Sequence, residues 1–261
     1  MSERLRRLLV CPVCHGELEF TSQLHCNRCG RTYILDGQIP IMLTSDLEGN
    51  ALQDGFGHDL YRAQMEGTVF EKVFHNHRIK TLVALVQELG IDRHQQVLDL
   101  GCNTAPAMSA LLREGVNLTG IDIVREDVKR AEANLKGLNL LHDNLAVADG
   151  TLLPFRDEAF DTILLIDVLE HTSHPQRMVE ETRRALRPGG MVVATVPWAY
   201  HPFVKFTILR KLLSSRKTID RHPDVPFTLQ KLKGLFPDFE PLLSRHVFHW
   251  VCILGVFRKE N

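Results

Sequence analysis

Near the N-terminus four cysteines form two pairs, Cys11-Pro12-Val13-Cys14 and Cys26-Asn27-Arg28-Cys29. Two thiolates across a CxxC turn can approach one ion, and a hairpin over the intervening residues can bring the second pair opposite the first. Four soft ligands on two such turns suit a tetrahedral zinc ion in a closed site, structural or recognition-bearing in role and not catalytic. Zinc is favoured over iron because nothing else in the sequence suggests a redox role. The competing reading is four buried or redox-active cysteines without a metal, which the paired spacing makes the weaker. His15 and His25 flank the ligands and are redundant beside four sulfurs.

A second set of residues begins at Val97-Leu98-Asp99-Leu100-Gly101-Cys102-Asn103-Thr104-Ala105-Pro106. It reads as a buried strand, a tight turn and the start of a helix. With Gly120-Ile121-Asp122 downstream, it has the layout of a nucleoside-binding βαβ unit. Gly101 lets the backbone approach a ligand without a Cβ in the way. Asn103 and Ala105 stand where a dinucleotide fingerprint has further glycines. Asn tolerates a positive φ best among the non-glycine residues. A diphosphate would want barer backbone, so NAD and FAD are disfavoured. Asp122, at the end of the next strand, can accept two hydrogen bonds from a ribose diol. Ala148-Asp149-Gly150 ends a third strand, and Asp167, Glu170 and His171 follow a fourth. His171 is the best-placed proton acceptor, although a helix-entry histidine with a structural hydrogen bond is an equal alternative. His201 and His222 are weaker candidates. Glu170 beside His171 is by itself weak evidence of a divalent-metal site.

The elements that must hold these residues can be read from periodicity. Ile79, Leu82, Val83, Val86 and Leu89 predict a helix closed by Gly90. Strands are expected at 97–100, 117–121, 144–148, 161–166 and 191–196, with helices at 106–114, 125–136 and 174–186. Ser173 and Gln176 predict a capping box for the last of these, and Arg187-Pro188-Gly189-Gly190 its stop. A helix at 228–236 and two strands near 242–248 and 250–258 complete the chain. Strands alternating with helices predict an α/β fold: a Rossmann-like, doubly wound, mostly parallel seven-stranded sheet with an antiparallel edge, behind a small N-terminal ribbon. The expected organisation is a ribbon over 1–45, a linker and connecting helix over 46–77, and the sheet domain over 78–261. Cys102 and Cys252 are expected to be packing residues. Trp198-Ala199-Tyr200-His201-Pro202-Phe203 would line the substrate mouth. The stretch from Phe203 to Leu213 suits a lid helix better than a membrane-facing one.

The segment Leu9 to Leu43 resembles the zinc-ribbon family that includes the small activator subunit of tRNA methyltransferases. The resemblance rests on Cys11–Leu18, Cys26–Gly30, Tyr33 and Asp36-Gly37-Gln38-Ile39-Pro40-Ile41-Met42. From about Val97 to Val196 the chain resembles the class I S-adenosylmethionine-dependent methyltransferases, close to the ubiquinone-biosynthesis O-methyltransferases. Val97–Gly101, Gly120–Asp122, Ala148–Gly150, Asp161–His171 and Leu186–Gly190 look like its five motifs in order. The resemblance implies S-adenosylmethionine as cofactor. Asp99 and Gly101 would lie against its methionine part, in a turn completed by Asn103. Asp122 would hold the ribose, Ile123 would flank the adenine, and Asp149, with Gly150, would meet the adenine amino group. Asp167 would lie near the methionine amino group and the substrate, with His171 as base. Asn103 and Ala105 depart from the family's usual glycines.

Composition narrows the acceptor. The 261 residues carry 31 Lys and Arg against 32 Asp and Glu. Such a balance gives no global field for a nucleic-acid backbone, although a local patch is compatible with it. No apolar run approaches a membrane span, and Met1–Val10 lacks the apolar core of a signal peptide, so a cytoplasmic location is expected. The leading reading is methyl transfer to a hydroxyl or amine of a small molecule, lipid- or sugar-linked acceptors included. An RNA methyltransferase using the ribbon as a clamp is second, and a non-catalytic scaffold whose ribbon docks a partner is third.

Overall fold

A computed structural model describes residues 1–44, 69–200, 227–247 and 251–260, with side chains in the first long helix described from residue 76 onward. The expected helix 203–213, His201 and His222 lie outside the described residues. The ribbon opens with helix α1 (Glu3–Leu8), capped by the Ser2 side chain, which accepts from the Leu5 N–H at 3.0 Å. Four short strands follow: β1 (Leu18–Phe20), β2 (Leu24–Cys26), β3 (Thr32–Asp36) and β4 (Ile39–Ile41). They pair antiparallel in sequence.

Helix α2 (Val69–Glu88) leads into the sheet domain, and Gly90 at φ 67° closes it as the periodicity predicts. Then come β5 (Val97–Leu100), α3 (Pro106–Arg113), β6 (Leu118–Asp122), α4 (Arg125–Gly137), β7 (Leu145–Val147) and β8 (Phe160–Ile166). The chain ends with α5 (Pro175–Ala185), β9 (Leu186–Pro197), α6 (Leu229–Gly234), β10 (Phe239–Val247) and β11 (Cys252–Lys259). The spatial order β7-β6-β5-β8-β9-β11-β10 is the expected seven-stranded sheet. Its first five strands run parallel, and β11 and β10 supply the antiparallel edge. The parallel strands read as continuous apolar runs because both faces are covered. Leu5 of α1, Met178 of α5 and Leu232 of α6 bury one face; Leu85 of α2, Met108 and Leu111 of α3 and Val128 of α4 bury the other.

Two local expectations fail. The capping box at Ser173 does not form: His174 is the N-cap without a side-chain bond, and the Ser173 hydroxyl lies 2.7 Å from His174 Nδ1 instead. Arg187–Gly190 does not stop α5. The helix has already ended at Leu186, in extended conformation, and residues 187–190 lie within β9.

The ribbon is sewn onto the sheet. Ile41 of β4 pairs parallel with Val147 of β7, and the Met42 N–H donates to the Val147 carbonyl at 2.8 Å, so a single sheet of 11 strands runs from β1 to β10. Beside it, Leu9 bridges Phe155, with Val10 N–H donating to Pro154 O at 2.9 Å and Arg156 N–H to Leu8 O at 3.0 Å. Leu18, Leu24 and Tyr33 belong to the same apolar cluster as Phe155 and Phe160. Among the described residues no helix is long and apolar enough to cross a membrane.

Candidate cofactor pocket and metal centre

The four cysteines converge as their spacing predicts: their Sγ atoms all lie within 4.8 Å of one another. Cys14 and Cys26 are 3.4 Å apart and Cys11 and Cys29 3.7 Å. A tetrahedron with zinc–sulfur bonds of about 2.3 Å needs sulfurs about 3.8 Å apart, so the set is close to that size. His15 at φ 54° and Gly30 at φ 72° turn the two knuckles. Gly16 is required for space, since a Cβ there would stand 2.6 Å from Arg28 Cβ as well as 3.1 Å from Cys26 Sγ and 3.3 Å from Cys14 Sγ. Burial pushes the Cys26 thiol up, but backbone N–H groups of Cys29 and Arg28 and the neighbouring sulfurs outweigh it and bring it down to about 7. His15 and His25 are exposed. The donor set and its size fit zinc.

The other predicted site residues gather at the carboxyl ends of β5, β6, β7 and β8, flanking the point between β5 and β8 where the winding reverses. Asp99 is 2% exposed, and its Oδ2 has no hydrogen-bond partner among the described residues. Burial, with the nearby Asp122 carboxylate, pushes its pKa up to about 7. Gly101 adopts φ 80°, and a Cβ there would meet Val168 Cγ2 at 2.4 Å. Asn103 and Ala105 sit at φ 50° and 66°, left-handed conformations that explain why glycine is the usual occupant. Asn103 eases its own strain by accepting the Thr104 N–H on Oδ1 at 2.6 Å.

Asp122 is fixed by backbone donors on both oxygens, Asn103 N–H and Val124 N–H, each at 2.9 Å. Burial pushes its pKa up to about 6 despite those donors, with Asp127 adding to the rise. One carboxylate thus ties the β5 turn to the β6 turn. Ile123 beside it is 38% exposed. Asp149 accepts from the Thr151 N–H at 2.8 Å and hydroxyl at 2.9 Å. Gly150 packs where a Cβ would come 2.8 Å from both Leu100 Cδ2 and Met178 Cε.

Asp167, at φ 55°, follows β8. It accepts from the Thr195 hydroxyl at 2.8 Å and forms an ion pair with Arg78 of α2. Glu170 is buried, and its Oε1 lies 3.9 Å from Nε2 of the half-exposed His171. The His171 N–H donates to Val168 O, which fixes the turn carrying both residues. Cys102 and Cys252 are buried, as expected. Trp198 and Tyr200 stand edge-to-face after β9, with Tyr200 58% exposed.

Sequence reasoning missed two residues. Arg78 gives no motif signal, being one base on a helix upstream of the recognisable segments. Asp36 ends β3 and accepts from Arg125 Nε at 2.9 Å and Nη2 at 2.7 Å, so the ribbon grips the first residue of α4, three positions beyond Asp122. Asp36 was legible only as part of the stretch Asp36–Met42 that carries the ribbon resemblance.

Known protein families match two separate parts of the chain. Residues 98–194 match the family described as methyltransferase domain, and residues 2–36 match the Trm112p-like protein family. A demethylmenaquinone methyltransferase of Tropheryma whipplei is 30% identical over 142 residues, which cover 51% of this chain and 58% of that protein. A ubiquinone biosynthesis O-methyltransferase of Coxiella burnetii is 33% identical over 98 residues, covering 37% of this chain and 41% of that one. The chain therefore spans less than two thirds of the length of these curated relatives. The fold is shared with a chain of the solved complex between the Haloferax volcanii Trm112 methyltransferase activator and a methyltransferase candidate. That chain is 18% identical with a TM-score of 0.61, over 78% of this chain and 96% of that one. The cyclase SpnF has the same fold at 21% identity and a TM-score of 0.55, over 69% of this chain and 80% of its own, so the architecture does not by itself fix the reaction. By its motifs, its sheet and these matches, the chain joins a Trm112p-like N-terminal domain to a methyltransferase domain.

Proposed function

We propose that the protein is an S-adenosylmethionine-dependent methyltransferase acting on a hydroxyl or amine of a small molecule, with zinc holding the ribbon. The observation that carries the reading is the set of acidic residues at four adjacent strand ends. Asp99 keeps a buried oxygen without a hydrogen-bond partner among the described residues, and Asp122 is presented rigidly by two backbone donors. Asp99, Gly101 and Asn103 would receive the methionine part, and Asp122 the ribose hydroxyls. Ile123 would cover the adenine, with Asp149 and Gly150 at its amino edge. When bound, the cofactor supplies an electrophilic methyl group. The chain's part is then to align the acceptor and to take its proton. His171, half exposed beside buried Glu170, is the base, and Asp167 helps position the reacting groups. The aromatic edge at Trp198 and Tyr200 faces the acceptor, in keeping with the quinone-directed names of the relatives. Lipid-linked acceptors belong to that class. The thiolate centre suits a reducing, cytoplasmic setting.

The test is calorimetry with S-adenosylhomocysteine. Micromolar binding that Asp122→Ala weakens at least tenfold is expected, and no binding at millimolar ligand would sink the reading. Incubation with labelled S-adenosylmethionine and separate lipid, metabolite and RNA extracts then identifies the acceptor. Label in the RNA fraction alone would favour the ribbon as an RNA clamp, and label in none would favour a scaffold.

A further inference from the structure

The metal centre has a neighbour that its four ligands do not account for. Tyr33 lies on β3, where exposed Thr32 and Ile34 flank it and its own side chain is 3% exposed. It pairs in register with Leu24 of β2, which is fully buried. Its hydroxyl oxygen lies 3.1 Å from Cys11 Sγ, inside the core. We propose that Tyr33 is an outer-shell residue of the metal centre, its phenolic hydroxyl donating a hydrogen bond to the Cys11 thiolate. The proposal rests on reading the four cysteines as a zinc site.

The direction of the bond follows from the chemistry. A thiolate that binds a metal carries no proton, so sulfur can only accept and the phenol must donate. A buried tyrosine hydroxyl requires a partner, and Cys11 provides one. The role is one that the backbone fills elsewhere in the same centre. The Gly16 N–H serves Cys14, and the Arg28 and Cys29 N–H groups serve Cys26. Four thiolates around a divalent ion leave an excess of negative charge, and each donor to sulfur spreads part of it. For Cys11 a side chain supplies a donor of this kind. The Tyr33 ring also belongs to the apolar cluster that continues into Phe155 and Phe160, so the hydrogen bond ties the metal site to the core of the sheet domain. Partners in this second layer orient ligands and tune the metal.

The test uses the full-length protein, wild type and Tyr33→Phe, which keeps the ring and removes only the oxygen. Zinc affinity is measured by chelator competition, and the sulfur-to-metal charge-transfer band is recorded after cobalt substitution. Loss of the donor should leave a more electron-rich sulfur. Tyr33→Phe is expected to bind zinc about tenfold more weakly, within the usual range for outer-layer changes, and to move the cobalt band to lower energy. Unchanged affinity with an unmoved band would overturn the proposal. So would an equal band shift in Leu24→Ala, which opens the same core without touching the hydrogen bond. Should Tyr33→Phe fail to fold, NMR of the cadmium-loaded wild type decides. A slowly exchanging Tyr33 hydroxyl proton with scalar coupling to cadmium supports the bond, and a fast-exchanging, uncoupled one refutes it. A wild type that binds no metal would instead defeat the zinc reading.

Discussion

Asp99 and Ala105 show what a tight strand-to-helix turn asks of single residues. Asp99 retains its proton up to about pH 7 in the folded chain, because burial and the Asp122 charge disfavour the carboxylate. In the unfolded chain it ionises near pH 4. Between those values the native state holds more protons, so its stability falls as pH rises from about 4 to about 7 and levels off above. Thermal melts of ligand-free protein across that window should show the decline. Asp99→Asn should shrink the decline to the share that Asp122, itself raised to about 6, contributes, and raise the melting temperature at pH 8, while weakening S-adenosylhomocysteine binding. Ala105 poses a different demand, since its φ of 66° is costly for any residue with a Cβ. Ala→Gly ordinarily destabilises a helix, but Ala105→Gly is expected to be neutral or to stabilise by about 0.5 kcal/mol in denaturant titrations, relief of strain outweighing lost chain stiffness. Asn103 was legible at its position because asparagine has a known tolerance for left-handed backbone. Ala105 was not, because alanine carries no mark of the conformation that the surrounding turn imposes on it.

The elements were legible where a long-period pattern met a buried face. Strands β5, β6 and β8 and helices α3 and α4 lie within a residue or so of their expected bounds, because apolar runs and apolar stripes report burial directly. Cap chemistry was not, because a hydroxyl chooses among several local partners. Ser173 turned to the neighbouring imidazole, and the His174 N–H went to Thr172 Oγ1 at 3.2 Å. Side chains that join elements distant in sequence leave no local trace at all. Arg184 of α5 is the clearest case. It donates to the Phe155 carbonyl at 2.7 Å and the Leu153 carbonyl at 3.0 Å, and pairs with Asp157 and Glu181, both at 2.8 Å. Glu181 in turn accepts the Leu153 N–H at 2.8 Å. One guanidinium thus fastens the segment between Asp149 and β8 onto α5. Arg184→Ala leaves two carbonyls and a partly buried carboxylate without this donor, and should cost about 2–3 kcal/mol in chemical unfolding. Arg184→Lys should recover only a minor part, since an ammonium cannot reproduce the fork.

At the scale of the whole molecule, the ribbon and the methyltransferase domain share a sheet, an apolar cluster and the Asp36–Arg125 pair. Ribbon contacts therefore hold both sides of the Asp149 turn and the start of the helix after Asp122. Removing zinc is expected to loosen those contacts as well as the ribbon itself. Chelation should lower S-adenosylhomocysteine affinity at least fivefold, and thermal unfolding of the metal-loaded protein should be a single transition. Two well-separated transitions, with affinity untouched by chelation, would show the halves to be independent.

The pairing of Ile41 with Val147 has one more consequence, and it concerns competition. Without β4 that side of β7 would be an open strand edge, and open edges recruit strands from other proteins. Here β4 arrives on the same chain. A segment carried on the same chain meets its site at an effective concentration that a separate protein does not share. A free protein offering an equivalent strand would have to exceed that concentration or pair far more tightly. Carrying β4 on the same chain thus makes occupancy of this edge independent of the concentration of any separate strand-bearing protein.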